Sequence, residues 1–231
     1  MMDTTNVLWY SEISVEFLFC LYLVWTRLAK TYPTFTACLG CDVLRCLAAI
    51  YFMRGAVGAR LPLSYTYFWL WSEPFWLLLQ IAVALEVHTR IWKEHTSVLR
   101  QTRPLLLFAL ATALVAAGIP VRSEAIHAGS SRLILVMHFG IQATRYISSV
   151  LAIFLLLSAV LFFVVVDNVR TSSVFQHEGL MAAYFAIYAI AAFLIDMRWV
   201  RTTLVNGYFV SAITLCFVAW FSVFKPRPLA S

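Results

Sequence analysis

Charge is what this chain has least of. Asp, Glu, Lys and Arg make up only 12% of its residues, where soluble domains carry about a quarter. Lysine is scarcest, with Lys30, Lys93 and Lys225 alone, all at the ends of apolar runs or between them. A retinal Schiff base needs a lysine within the bundle, so that chemistry is excluded. There is no Gly-rich phosphate loop. Neither a Gly/Ser-rich or Pro-rich linker nor a low-complexity tract divides the chain into domains.

What is present is apolar: 62% of the 231 residues. Runs of about 20 such residues cross a hydrocarbon core of about 30 Å at ~1.5 Å per residue. They fall at 7–28, 35–54, 67–90, 105–122, 133–166, 179–197 and 203–224. The expected fold is all-α, a polytopic membrane bundle of seven transmembrane helices forming one domain over 1–231. The fifth run would reach about 50 Å as a straight helix, so it either tilts or projects beyond the bilayer. Asp3 and no basic residue precedes the first run, which therefore lacks a signal peptide's basic start and reads as a spanning helix.

Alternating the connections from an outside N-terminus puts nine Lys and Arg residues inside and six outside. That excess predicts N-out, C-in. The formal charge of +6 is spread among loops and forms no single stripe, so nucleic acid is not expected as a partner. The lipid bilayer is. The densest basic stretch, "HTRIWKEHTSVLRQTR" at 88–103, reads as a cytoplasmic loop resting on anionic head groups. Trp9, Trp25, Trp92, Trp199 and Trp220 sit near run ends, as an interfacial aromatic belt would require.

"WLWSEPFWLLLQ", 69–80, places Glu73 and Pro74 in an aromatic and aliphatic run. Two local structures fit. In one, a helix starts here with Ser72 as N-cap, Glu73 at its positive end and Pro74 in the first turn, which satisfies every local rule together. In the other, Pro74 lies inside a longer helix, frees the carbonyl of Leu70 and kinks it beside a polar cavity.

Other polar groups fall at helical spacings. Glu12 and Glu16 share one face of the first run, where two close carboxylates require a proton or a cation between them. Asp42 and Arg45, at i and i+3, can neutralise each other locally. His138, Gln142 and Arg145 form a single stripe on the fifth run. With the N-terminus outside, Glu12, Glu16, Glu73, His138, Gln142, Arg145 and Asn206 lie in the outer half, and Tyr184, Tyr188 and Asp196 climb the sixth run toward that level. Leaving several of them in lipid would cost on the order of 10 kcal/mol, at ~2.5–3.5 kcal/mol for each charged residue. The reading is an outward-facing polar pocket whose ligand-binding residues are Glu12, Glu16, Arg45, Glu73, His138, Gln142, Arg145, Tyr188 and Asn206. Arg145 is the expected partner of the acids. The competing reading scatters these groups at the interface, snorkelling to head groups.

No catalytic residue, metal or cofactor is assigned. His88 and His95 are seven apart at an edge, His127 and His177 fall in loops, and only His138 lies within a run, so neither a metal cluster nor a haem clamp is formed. "HAGSSR", 127–132, is a loop without an oriented nucleophile. Cys38 and Cys41 form a CxxC that resembles the quinone-linked disulfide oxidoreductases of bacterial membranes, but the second cysteine pair of those enzymes is missing. The Pro-Gln dipeptide typical of small sugar transporters with three-plus-one-plus-three helices is missing as well.

"LWYSE" in the first run, "YPTF" after it, "YFWLWSEPFW" and "EVHTRIW" around the third, and a long fifth run together resemble a group of bacterial seven-helix membrane proteins of about this size with no assigned activity. The resemblance implies a bacterial cytoplasmic membrane and brings no site residues. The functional expectation is a non-enzymatic binding or sensing module for a small polar or anionic ligand. The alternatives are a proton-coupled secondary transporter using Glu12, Glu16 and Glu73, and a structural or assembly subunit whose protein partner the sequence does not specify.

Overall fold

The computed structural model of the chain describes residues 4–53, 63–128, 132–166, 173–196 and 202–224. Seven helices account for nearly all of them: α1 Thr4–Trp25, α2 Pro33–Met53, α3 Leu63–Ile91, α4 Thr96–Ala128, α5 Arg132–Val165, α6 Ser173–Asp196 and α7 Thr202–Val223. A short 3-10 turn, Leu28–Lys30, joins α1 to α2. Arg27, which precedes it, takes the left-handed conformation at φ 59° that usually falls to glycine.

The helices are apolar nearly all round, as they must be when one face meets the core and the other meets acyl chains. On α1, Phe19 and Leu23 are buried while Leu18, Leu21 and Val24 are exposed. Six helices are long and apolar enough to cross a membrane, and Gly207–Val223 of α7 is a shorter apolar stretch. The molecule is a membrane-embedded helical bundle.

Three expectations about local structure are corrected. The helix carrying Glu73 does not start at Ser72: α3 begins at Leu63 and runs on through Pro74. The aromatic run from Tyr65 to Trp71 is as compatible with helix as with an extended approach, and membrane burial decides for helix because every backbone group must be bonded. Residues 88–103 are not a loop. α3 continues to Ile91 and α4 begins at Thr96, the turn between them closed by the Trp92 N–H on His88 O (3.2 Å) and the His95 N–H on Trp92 O (2.9 Å). Charged residues at a membrane surface do not break a helix, so polarity alone misplaced its ends. Trp92 and Trp220 are not belt residues but fully buried core, whereas Trp25 is exposed. Trp199 and residues 129–131 lie outside the described residues. The fifth run is one helix, about 50 Å long by its rise per residue.

The packing order creates the site. α1 packs on α2, α2 on α3, α3 on α6, α6 on α7 and α7 on α1, closing a five-helix ring. α5 buttresses α3 and α6 from outside, and α4 packs chiefly on α5. Ring helices turn 3-4 spaced stripes toward the axis, such as Glu12, Glu16 and Phe19 on α1 and His177, Met181, Tyr184 and Tyr188 on α6. The axis is polar toward the end where α1 starts, here called the N-terminal end. Toward the opposite end it is an aromatic plug, in which Phe19, Phe35, Phe217, Trp220 and Phe224 pack ring on ring. The Tyr22 hydroxyl donates to Phe224 O and ties α1 to α7 at that end.

Candidate functional site

Near the N-terminal end, Arg45 of α2 reaches across to α3. Its Nη2 forms an ion pair with Glu73 Oε2, and its Nε donates to Ser72 Oγ at 3.2 Å. The guanidinium stacks over Trp69 (3.9 Å to the ring centre) and Trp76 (4.9 Å), an arrangement that suits its weakly hydrated plane. Thr144 of α5 donates to the other Glu73 oxygen, Oε1, at 2.8 Å. The pair is not sealed, with side-chain exposures of 9% for Arg45 and 18% for Glu73. Arg45 therefore bridges helices instead of closing the local pair with Asp42. At i and i+3 the two can meet, but the Glu73 carboxylate presents itself from α3 beside two indoles. Pro74 immediately follows that carboxylate and leaves the Leu70 carbonyl without its helical donor.

One to two turns deeper, all five ring helices converge on an internal cavity of about 10 Å³, the space that one water molecule requires at ~10–15 Å³. Glu16 of α1, Cys38 and Asp42 of α2, Gln80 of α3, Tyr184 of α6 and Phe217 of α7 line it. Gln80 is 1% exposed and Glu16 is 2% exposed. Neither the carboxamide nitrogen nor the oxygen of Gln80, nor Glu16 Oε1, has a hydrogen-bond partner among the described residues. Asp42 and Glu12 lie within electrostatic reach of Glu16, and Arg45 and Glu73 within reach of Asp42. Tyr188 packs at a tilt against Tyr184 (4.9 Å) and Trp76 (5.0 Å), joining the cavity to the tryptophans around Arg45. The result is a polar column along the ring axis holding four carboxyls and one guanidinium.

Of the residues singled out in the sequence, Glu12, Glu16, Arg45, Glu73 and Tyr188 belong to this column. His138 and Gln142 lie on α5, outside the ring, with the Gln142 Nε2–H donating to His138 Nε2 (3.1 Å). Arg145 stacks over Phe193 (4.6 Å) and Tyr146 (5.3 Å). The α5 residue that reaches Glu73 is Thr144, and the cation paired with Glu73 is Arg45. The side chains of Asn206 and Asp196 lie outside the described ones. Gln80 was missed, though it is the only amide in "WSEPFWLLLQ" and falls at i+7 from Glu73, a signal for the same helix face.

Three histidines are also corrected, the first being His127, which does not lie in a loop but at the end of α4. His177 does not lie in a loop but in the first turns of α6, fully buried, and His88 is fully buried in α3. Among the described residues no group of three or more His, Cys, Asp or Glu could hold a metal ion. No family model, curated protein or solved structure matches this chain.

Proposed function

We propose that the protein is a proton-coupled secondary transporter whose coupling site is the axial column of Glu12, Glu16, Asp42 and Glu73. The observation that carries this reading is the charge balance along the column, with the Glu16 and Asp42 carboxyls gathered at one small cavity. Four carboxyls face one guanidinium, and Arg45 is already engaged by Glu73. Such a lumen cannot hold every acid charged, because uncompensated charge is expensive out of water. Protons are the compensating cations, and a one-water cavity flanked by Gln80 and Tyr184 can relay them. Pro74, inside the continuous α3, leaves the Leu70 carbonyl free one turn from the carboxylate. The surplus of acid does not favour an anionic ligand. The excess of Lys and Arg on one side orients the column's open end outward in a bacterial cytoplasmic membrane, with Lys93 and Arg100 meeting anionic head groups at the inner face.

The test is a pH jump applied to the reconstituted full chain on a solid-supported membrane. Proton entry into the column gives a transient current that Glu16→Gln and Asp42→Asn each abolish. A transient that persists unchanged in both variants sinks the proposal.

A second reading, a binding or sensing module, is favoured by Arg45 stacked between Trp69 and Trp76 near the open end. It predicts that a small polar compound raises the melting temperature of wild type but not of Arg45→Ala.

A further inference from the structure

Beyond the cavity the aromatic plug contains one group that does not match its surroundings. His177 is completely buried, and neither ring nitrogen has a partner among the described residues. Its ring lies 4.8 Å from Tyr32, 5.0 Å from Phe35, 4.8 Å from Phe224 and 5.9 Å from Trp220. A phenylalanine would fill this place without leaving two polar atoms unpaired, each at a cost of about 1–3 kcal/mol. Packing therefore gives no reason for an imidazole here.

Position does. His177 stands four residues before Met181 on the same face of α6, so it lies one helical turn beyond the cavity. Met181 and Phe35 line the cavity's floor, and Phe35 also touches the imidazole. Two apolar side chains thus separate the acid column from the next titratable group along the axis.

We propose that His177 is a second proton-binding station, reached from the Glu16–Asp42 cavity across an apolar gate formed by Phe35 and Met181. The proposal rests on the proton-coupled reading above. A carboxylic acid in the cavity gives its proton to an imidazole nitrogen, leaving a carboxylate and an imidazolium, and the imidazolium releases the proton to water at the opposite end. Neither imidazole nitrogen has a hydrogen-bond partner among the described residues, so transfer from the cavity waits until the gate yields. Methionine, unbranched and flexible, suits a gate that must move.

The groups facing His177 set its environment from every side. α2 brings Phe35, with Tyr32 just before its start. α3 brings Arg90, stacked over Tyr32 at 4.9 Å, and Glu86, which accepts the Phe35 N–H at 2.9 Å and lies 3.6 Å from Arg90. α6 adds the neighbouring Glu178, also fully buried, whose carboxyl meets Ser158 of α5. α7 contributes only Trp220 and Phe224, which do not titrate. Of these groups, Arg90 is the charged one within electrostatic reach of the imidazole, and Glu86, 3.6 Å from Arg90, offsets its positive charge.

The test reads steady proton flux into liposomes loaded with a pH-sensitive dye under an imposed membrane potential, using the full chain. His177→Phe is expected to lower flux by about a hundredfold, the low end for a positioned proton-transfer group, while its melting temperature stays level or rises and its pH-jump transient persists. His177→Gln keeps a polar side chain that cannot carry the proton and is expected to behave the same way. Wild-type flux in either variant, or a wild type that shows the transient but passes no protons, overturns the station while leaving the acid column standing. Loss of the transient in wild type overturns the column reading itself.

Discussion

At the scale of single residues, the Arg45–Glu73 pair is where electrostatics are least forgiving. Both side chains are largely withdrawn from solvent, yet Glu73 accepts from Thr144 and Arg45 donates to Ser72, so most of their hydrogen-bonding capacity is met. Removing one partner strands a charge in the bundle, which costs about 3–5 kcal/mol, whereas replacing both by apolar residues is often close to neutral. Arg45→Ala and Glu73→Ala are each expected to destabilise the protein by that amount, and Arg45→Met with Glu73→Leu to recover most of it. Unfolding in mild detergent measures all three. Single variants that melt with wild type would mean that the pair is a solvated contact and that the column is wetter than its burial implies. The double variant also separates stability from function, since it should fold and yet bind protons differently.

At the scale of elements, the joint of α3, α4 and α5 is held by a directional chain of hydrogen bonds at the end away from the column's mouth. Trp92 Nε1–H donates to Ser158 Oγ (2.8 Å), Ser158 meets His88 Nδ1 (2.9 Å), and His88 Nε2 meets Thr102 Oγ1 (2.7 Å). Thr102 donates in turn to Val98 O (2.8 Å), which leaves its oxygen to accept from His88 protonated at Nε2, and Ser158 also meets the Glu178 carboxyl. Ser158→Ala is expected to leave two buried groups unpaired, at about 1–3 kcal/mol each. Ser149→Ala, which loses only a bond to Arg145 O within its own helix, should change the melting temperature little. Equal effects from the two would show that the chain is incidental. The same elements show what the sequence made legible. Apolar run length located all seven helices, because a bilayer fixes that length, but composition misplaced ends near charge and proline, as at Ser72 and 88–103. For the site, helical spacing placed Glu12 with Glu16 correctly on one face. It could not reveal that Arg45 finds Glu73, that Gln80 points to the axis, or that His177 is buried, because those depend on the order in which the helices close the ring. The stripe from His138 to Arg145 was equally periodic and lies on a helix outside it.

At the scale of the whole molecule, the ring makes one end of the axis acidic and the other aromatic, so on the proposed proton-coupled reading orientation in the membrane would set the direction from which protons arrive. The distribution of Lys and Arg predicts that the N-terminal end, with the acid column, faces outward. Lys93, exposed in the turn between α3 and α4, should then lie inside, and Arg60, which falls between α2 and α3 in the sequence, outside. A membrane-impermeant maleimide is expected to label Arg60→Cys on intact cells above the level of the parent chain. It should label Lys93→Cys only after permeabilisation. The reversed pattern would turn the column toward the cytoplasm, where an inward-directed proton gradient would reach His177 before the carboxyls. The plug would then be the entrance, and Phe35 and Met181 would control loading of the column instead of release from it.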